Sequence, residues 1–165
     1  EAHRLFGSVA TVQQEINIIV RPSAETYKAC DKLGCQFVAY GALLGGLLSD
    51  KYLFADEPVP DMAHSKMHDY LASVRAWGDW EQFQELLQVL YMIAETHGAS
   101  ISQVAIAYTL QLPRMLGCIV GIRLGASDHR KDTLAALELK LTEDDIAWID
   151  QSVETGIILD GLART

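Results

Sequence analysis

The sequence predicts an α/β fold in which three parallel strands alternate with helices. Three short segments of strand length are rich in β-branched and aromatic residues, and segments with helical caps separate them. Strands that are separated by helices pair in parallel, because a hairpin joins only antiparallel neighbours. The 165 residues contain no low-complexity segment, so we expect a single domain over residues 1–165 with a core of its own.

The first part of the chain predicts a strand, a helix and a second strand. Residues Ser8–Gln14 form the first predicted strand. Ser23 follows a proline and is placed to cap a helix that ends at Gly34. Cys35–Tyr40 has strand length and is followed by a glycine. The segment Phe54–Met62 contains two prolines and predicts a loop.

The second part of the chain predicts five helices and a third strand. Two of the helices begin with a capping box, in which a small polar residue is followed three positions later by glutamine. The predicted helices are Ala63–Arg75 and those that begin at Asp79 with Gln82, at Ser100 with Gln103, at Ser127 and at Thr142, and the predicted strand is Leu116–Gly121.

The three strands predict an incomplete sheet. An eight-unit parallel barrel typically takes about 250 residues, so three units are too few to close one. Both outer strands would lie at an edge, which buried parallel strands tolerate badly. We therefore expect missing chain, a second copy or a partner chain to complete the sheet. The chain begins with Glu1 rather than methionine, which we take to indicate processing or a segment of a longer polypeptide.

Charge and composition exclude some classes of partner. The formal net charge is −9, and the basic residues are scattered, so nucleic acid is not expected as the main partner. One anionic cofactor is still allowed, because a local pocket can oppose the global sign. No apolar run approaches the roughly 18 residues of a membrane span, so no membrane partner is expected.

The cysteines and histidines predict neither disulfides nor a metal site. Three cysteines form no C-x-x-C pair, which favours a reducing, cytoplasmic location, and Cys30 is interpreted as a small core residue on a helix. His64 and His68 are four positions apart and could share a metal. Because no third ligand is near them in the sequence, an exposed helix face is the favoured interpretation.

A glycine-containing segment after the second strand is the most informative part of the sequence. It runs from Tyr40 to Tyr52 and reads YGALLGGLLSDKY. Glycines let backbone N–H groups approach phosphate oxygens, and the lysine at position 51 could neutralise them. On residue types alone, a bent loop whose leucines fill the core is the favoured alternative.

This segment resembles the aldo/keto reductase pattern V-A-Y-S/G-x-L-x-x-G-x-L-x-x-K-Y at the end of the seventh barrel strand. In that family the tyrosine stacks on the nicotinamide, the following residues hold the pyrophosphate and the lysine can reach the phosphates. The resemblance implies the C-terminal part of a (β/α)8 TIM barrel. It assigns the cofactor-binding roles to Tyr40, Gly41, Leu43, Gly45 and Lys51.

Two other blocks are similar to the same family. Val12–Asn17 is similar to the sixth-strand motif Q-x-x-Y/E-N, which implies that Gln13 binds the nicotinamide carboxamide. An amide side chain suits this role because it offers both a donor and an acceptor. Taken alone, Gln13 is better interpreted as a polar residue at a strand end. Residues Ile93–Tyr108 resemble a helix–turn–helix pattern of the family and are expected to be structural, so His97 receives no catalytic role.

A last block, Ile119–His129, resembles the eighth strand and the start of the following helix, if Leu124 and Gly125 are an insertion. A helix N-terminus with a nearby arginine is a good phosphate site. The resemblance implies NADP as the cofactor. NAD stays an alternative, because His129 stands where glutamine or arginine is commoner and Thr133 where asparagine is. The residues assigned to the adenosine and its 2′-phosphate are Gly121, Arg123, His129 and Asp132.

Together these blocks imply an oxidoreductase that transfers hydride between a nicotinamide and a carbonyl or alcohol substrate. The cofactor would carry the chemistry and this part of the barrel would orient it. The family's catalytic aspartate, tyrosine, lysine and histidine come from strands before the sixth. No catalytic residue is therefore assigned here, and we expect this chain alone to be inactive. The alternative is a non-catalytic truncated relative that acts as a cofactor-binding or interaction subunit, since a shared fold does not confer activity.

Overall fold

The structure is a computed structural model that describes residues 7–59, 65–121 and 129–160. Two tight 3₁₀ turns follow the second long strand, at Leu44–Gly46 and Asp50–Tyr52. In chain order the elements are β1 (Thr11–Glu15), β2 (Val20–Arg21), α1 (Ala24–Leu33), β3 (Gln36–Tyr40), α2 (Ser65–Trp77), α3 (Trp80–His97), α4 (Ile101–Gln111), β4 (Met115–Ile119), α5 (Arg130–Ala135), α6 (Glu143–Val153) and β5 (Leu159–Asp160).

β1, β3 and β4 form a parallel sheet with β3 in the middle, which confirms the predicted α/β fold with parallel strands. The predicted end of the middle strand at Tyr40 is confirmed, and the other predicted strand ends were wrong by one to three residues. β1 begins at Thr11 and includes Glu15, because these residues lie opposite the two ends of β3. β4 begins at Met115, opposite Phe37, and ends at Ile119 rather than at Gly121. Pairing with β3 sets these ends, and a single strand's pattern does not contain that information.

The helix starts follow the predicted caps. Side chains of Ser23, Asp79, Ser100 and Thr142 each accept a hydrogen bond from a backbone N–H three residues later. The last three of these residues also form capping boxes. α1 ends at Gly34 as predicted.

Parts of three predicted elements lie outside the described residues. Of the predicted helix Ala63–Arg75, the structure describes Ser65 onward. Of the predicted loop Phe54–Met62, it describes residues 54–59, which contain neither helix nor strand. Ser127 lies outside the described residues, and α5 begins at Arg130 with His129 in the N-cap position.

The sheet has one buried and one exposed face. On the buried face Phe37 and Ala39 join Ile16, Cys30 and Cys35 in a small apolar cluster, which confirms Cys30 as a core residue. Burial, with a hydrogen bond to the Cys35 thiol, raises the pKa of Cys30 to about 11, so this thiol stays protonated at neutral pH. The opposite face alternates with it and carries exposed side chains of Thr11, Gln13, Gln36, Tyr40 and Ile119.

A larger core lies among α2, α3, α4 and α6. Leu44, Leu47 and Leu48, from the glycine-containing segment, are fully buried in it. The leucines of this segment thus fill the core, as the alternative interpretation of that segment expects.

The junction between α2 and α3 is hydrogen-bonded to the loop after β3 and to the end of α6. The tryptophans and glutamines of the W-G-D-W-E-Q-F-Q run donate side-chain hydrogen bonds to backbone carbonyl groups rather than only packing in the core. The bonds join Trp77 Nε1 to Val153 (3.0 Å), Trp80 Nε1 to Ala55 (2.9 Å), Gln82 Nε2 to Thr155 (3.1 Å) and Gln84 Nε2 to Tyr52 (2.9 Å). This run therefore has a structural role in joining the loop after β3 to the segment after α6.

α6 is attached to the rest of the fold by charged side chains at both ends. Near its end, Asp150 accepts hydrogen bonds from Tyr108 Oη at 2.5 Å and pairs with Arg21 Nη2 at 3.0 Å. At its start, Asp145 lies 2.8 Å from His97 Nε2. His97 thus joins the end of α3 to the first turn of α6, which agrees with its expected structural role.

The Asp145–His97 contact predicts how stability depends on pH. Burial alone would raise the pKa of the Asp145 carboxyl, but hydrogen bonds from Thr142 and His97, with the charge of His97, lower it. A lowered pKa stabilises the folded state above the unfolded-state pKa of about 3.9, and this stabilisation is lost as the pH falls through the folded-state value. Asp145→Asn should therefore lower the free energy of unfolding at pH 7, and its difference from the parent should shrink below about pH 4.

Chemical denaturation at a series of pH values measures this difference. Asp144→Asn removes the same charge from the same helical turn at an exposed position and serves as the matched control. Equal pH profiles for the two variants would contradict the prediction.

Candidate functional site

The carboxyl ends of β1 and β3 bring the first candidate residues together. Glu15, Tyr40 and Ile119 form one register row across the exposed face of the sheet, and Tyr40 is the last residue of β3. Gln13 lies in the preceding row on the same face, roughly 7 Å along the strand. The adjacent Gln14 points to the opposite, buried face. The structure therefore separates the two neighbouring glutamines, and Gln13 shares a face with Tyr40.

Asn17 joins the ends of these strands and was not assigned a role from the sequence. Its side chain is fully buried, and its Nδ2 donates to the Gly41 carbonyl at 3.2 Å and to Glu15 Oε1 at 3.4 Å. Its Oδ1 accepts from the backbone N–H groups of Ile19 (3.1 Å) and Val20 (2.9 Å). An asparagine directly after a strand commonly organises a turn in this way, and this was the available signal.

The segment after Tyr40 bends through several left-handed residues. Gly41 has a φ of +68° and Gly45 a φ of +65°, and between them Leu44 has a φ of +47°. Glycine adopts this conformation without strain, whereas a leucine there must be held by its surroundings. A methyl group at Gly41 would lie 3.2 Å from Glu15 Cγ, so this backbone also approaches the end of β1 closely. A residue other than glycine at position 41 would thus be strained by its backbone conformation, and its side chain would also have to displace the Glu15 side chain slightly.

The two other predicted members of this loop have different environments. Leu43 is partly buried against the larger core. Lys51 is exposed, and its Nζ lies 3.3 Å from Tyr52 Oη and 4.8 Å from the centre of that ring. Asp50, next to it, accepts from the backbone N–H of Ile101 at 3.5 Å. The Lys51 side chain therefore lies at the surface against Tyr52, while its neighbour Asp50 contacts the start of α4.

Of the residues predicted to hold the adenosine end, Asp132 lies at the start of α4. Asp132 accepts hydrogen bonds from Ser100 Oγ, at 3.3 and 3.4 Å to its two oxygens. His129 and Gly121 are exposed, the first before α5 and the second two residues after β4. Arg123 lies outside the described residues. The described part of the chain therefore places the Asp132 carboxylate near Asp50 and α4.

Metal binding and membrane insertion receive no support within the described residues. His68 is exposed on α2, and His64 lies outside the described part of the chain. In residues 7–59, 65–121 and 129–160 no three histidine, cysteine or carboxylate side chains are close enough to share a metal ion. None of the helices found there is both long and apolar enough to span a bilayer.

Comparison with protein families identifies the chain. Residues 3–154 match the model of the Aldo/keto reductase family, which covers the sheet and all the helices described above. The chain belongs to the aldo/keto reductase family. The predicted family is thereby confirmed over nearly the whole sequence, including the stretches after β1, β3 and β4 on which the resemblance rested.

One curated relative is not named as a reductase. Flagellar radial spoke protein 5 of Chlamydomonas reinhardtii is 34% identical over 105 residues, which is 62% of this chain and 20% of that protein. The present chain thus spans about a fifth of the length of this relative.

Solved aldo/keto reductases share the fold. The thermostable aldo-keto reductase Tm1743, in a complex with the inhibitor epalrestat, matches with a TM-score of 0.55 and 24% identity over 86% of this chain and 39% of its own. The glycerol dehydrogenase AKR11B4 of Gluconobacter oxydans matches with a TM-score of 0.67 and 22% identity over 92% of this chain and 44% of its own. The chain therefore spans less than half of either structure.

A tyrosine from α2 also reaches the candidate site. Tyr70 lies against the glycine-containing segment, and its Oη would be 3.4 Å from a methyl group at Gly41. Burial raises its pKa, and the negative charge of Glu15 raises it further. A phenol in this environment is a poor proton donor, so Tyr70 does not resemble an activated acid. Sequence analysis missed it because no motif links α2 to this loop.

The hydrogen bonds of Asn17 predict a large effect of its removal. Asn17→Ala leaves the buried N–H groups of Ile19 and Val20 without their side-chain acceptor, and unfolding should become easier by about 2–3 kcal/mol. Gln14→Met is the matched control. Gln14, on β1, is likewise a buried amide, but its side-chain atoms have no hydrogen-bond partner within the described residues. Replacing it with an apolar residue of similar shape should be neutral or stabilising.

Urea denaturation of the parent and both variants measures these changes. The interpretation of Asn17 is wrong if Asn17→Ala unfolds at the same urea concentration as Gln14→Met.

Proposed function

We propose that this chain is the cofactor-binding, C-terminal part of an NADP-dependent aldo/keto reductase barrel, and that residues 1–165 form one unit of that barrel. The observation that carries the proposal is the shared face of Gln13 and Tyr40 at the carboxyl ends of neighbouring parallel strands. In parallel barrels the active site lies at this end of the strands. An amide and an aromatic ring on the same face offer what a nicotinamide requires: a donor and acceptor for its carboxamide and a surface for its ring.

The exposed sheet face supports an incomplete barrel. Parallel sheets are normally covered on both faces, yet one face of this sheet carries exposed residues in every strand. β1 and β4 are its outer strands. The solved reductases are more than twice as long as the part of each that this chain matches. Additional strands, from the same polypeptide or from a partner, would continue the sheet beyond β1 and β4 and enclose that face.

The residues present fit a bound dinucleotide. The backbone of Gly41 and Gly45 takes left-handed conformations after Tyr40, which brings main-chain groups to the end of the sheet. We propose that Tyr40 stacks on the nicotinamide, that Gly41, Leu43 and Gly45 hold the pyrophosphate and that Lys51 neutralises it. When bound, the cofactor supplies or accepts the hydride that is exchanged with a carbonyl or alcohol substrate.

At the adenosine end we propose Gly121, Arg123, His129 and Asp132. Arg123 would pair with the 2′-phosphate of NADP, since a guanidinium matches phosphate geometry. NAD is the alternative cofactor, because His129 and Thr133 differ from the residues that are commoner in the family at the adenosine end. A cytoplasmic location is proposed with the reductase function.

The proposal assigns the proton-transferring residues to chain outside these 165 residues. Tyr70, the phenol that reaches the site from α2, has a raised pKa and is not proposed as a substitute. A non-catalytic subunit is the second candidate function. It is favoured by the 34% identity with a protein named for the flagellar radial spoke, over 62% of this chain.

An activity measurement separates the chain from the complete enzyme. This chain, purified alone, should oxidise no NADPH above a buffer blank with common aldehydes, because it lacks the proposed proton donor. The full-length polypeptide should do so if it contains the rest of the barrel. Steady NADPH oxidation by the chain alone would show that activity does not need the family's four catalytic residues from other parts of the barrel. An inactive full-length protein that still binds NADPH would favour the non-catalytic subunit.

The binding roles predict different effects of two substitutions in the full-length protein. Tyr40→Ala should weaken NADPH and NADH alike, through lost stacking on the nicotinamide. Arg123→Ala should weaken NADPH by roughly ten- to a hundredfold, since a charge-assisted contact contributes about 1.5–3 kcal/mol. NADH should be affected much less, because it has no 2′-phosphate.

Fluorescence titration with both cofactors measures these constants. Trp148→Ala is the control for Tyr40→Ala, because Trp148 is a similarly exposed aromatic residue on α6, away from the glycine-containing segment. If Arg123→Ala leaves the ratio of NADPH to NADH affinity unchanged, the 2′-phosphate assignment is wrong and His129 becomes the next residue to substitute.

A further inference from the structure

The ring of Tyr70 packs against the glycine-containing segment. Tyr70 belongs to α2, which begins at Ser65, well after that segment in the sequence, and folds back onto it. A methyl group built on Gly45 would lie 2.4 Å from Tyr70 Cδ2 and 2.8 Å from Cε2. A methyl group on Gly41 would lie 3.4 Å from its Oη and 3.5 Å from Cε1. One edge of the ring therefore contacts the backbone at Gly45, and its hydroxyl end reaches Gly41.

The segment under this ring needs external support. Leu44 has a φ of +47°, a backbone conformation that residues other than glycine adopt rarely and at a cost in free energy. Such residues persist only when surrounding contacts fix them. The Leu44 side chain is fixed in the larger core, and the backbone on either side of it is in contact with Tyr70 at Gly41 and Gly45. The loop is thus held between the larger core on one side and the Tyr70 ring on the other.

We infer that Tyr70 is a positioning residue for cofactor binding: its ring holds the Gly41–Gly46 loop in the shape that receives the pyrophosphate of the dinucleotide. The inference rests on the proposed function, which gives this loop its ligand. Tyr70 acts through the loop and not through the hydride transfer. The contact is made by the ring, so Tyr70→Phe retains it and Tyr70→Ala removes it.

The consequence for binding is confined to one part of the cofactor. A loop that samples other conformations binds the pyrophosphate more weakly, because only a fraction of the molecules is competent. The adenosine end is bound by other segments, after β4 and at α5. A ligand that lacks the pyrophosphate and ends at the ribose of adenosine should therefore not sense the ring of Tyr70.

The test compares two ligands in the full-length protein. NADPH spans the loop, whereas adenosine 2′-phosphate has no 5′-phosphate and reaches only the adenosine end. Tyr70→Ala should raise the dissociation constant of NADPH about tenfold and leave that of adenosine 2′-phosphate within about twofold, whereas Tyr70→Phe should match the parent for both ligands. Hydrogen exchange of the amides in residues 41–48 should be faster in Tyr70→Ala than in the parent without ligand.

Tyr91→Ala is the matched control. Tyr91, on α3, is also partly buried against the larger core, so it reports loss of aromatic packing away from the loop. It should change neither dissociation constant nor the exchange of residues 41–48. If Tyr70→Ala does not fold, Tyr70→Leu takes its place with the same expectations, since leucine has no planar ring.

Two outcomes would overturn the inference: equal weakening of both ligands by Tyr70→Ala, or unchanged exchange in residues 41–48. Failure of the proposed function has a different signature. If the parent protein binds neither NADPH nor NADH, the cofactor assignment is wrong. The exchange comparison then still decides whether Tyr70 holds the loop.

Discussion

The side-chain amide of Asn17 connects the parts of the molecule on which the candidate site depends. Its donor group bonds to the carbonyl of Gly41 at the end of β3 and to Glu15 at the end of β1, and its acceptor fixes the turn that leads into β2. The Asn17 side chain is fully buried, and its bonds to Glu15, Ile19 and Val20 are buried as well, so water cannot easily replace a lost partner there. The relative position of Gln13 and Tyr40, which share a face of the sheet, therefore depends on a residue that needs no contact with a ligand.

Local signals predicted the helices well and the sheet less well. Helix caps are contacts between residues three positions apart, so both partners are visible in a short stretch of sequence. This is why the caps could be identified at Ser23, Asp79, Ser100 and Thr142. Strand ends depend on the partner strand. β2 and β5 have two residues each, and Val20 pairs with Leu159 from a distant part of the chain, so no local pattern predicts them.

The candidate site shows the same division. Gln13, Tyr40 and the glycines were identified because motifs of the reductase family contain them, and alternation along a strand explains why Gln13 rather than Gln14 shares a face with Tyr40. Asn17 and Tyr70 support the site through tertiary contacts. The contact between Tyr70 and Gly45 is created when α2 folds back onto the larger core. Neither residue type nor spacing in the sequence indicates that contact.

The pairing of β2 with β5 has a consequence for biosynthesis. The carbonyl of Ile19, in the turn that Asn17 organises, receives the N–H of Leu159 at 3.1 Å. During translation the early strands and the glycine-containing segment leave the ribosome long before Leu159 is made. The turn that supports the candidate site therefore waits for a late partner, and its final hydrogen bonds can form only after almost all of the described residues have been synthesised. The last hydrogen bond of this turn therefore forms late in the synthesis of this segment, although the strands that carry the site are among its first parts to emerge.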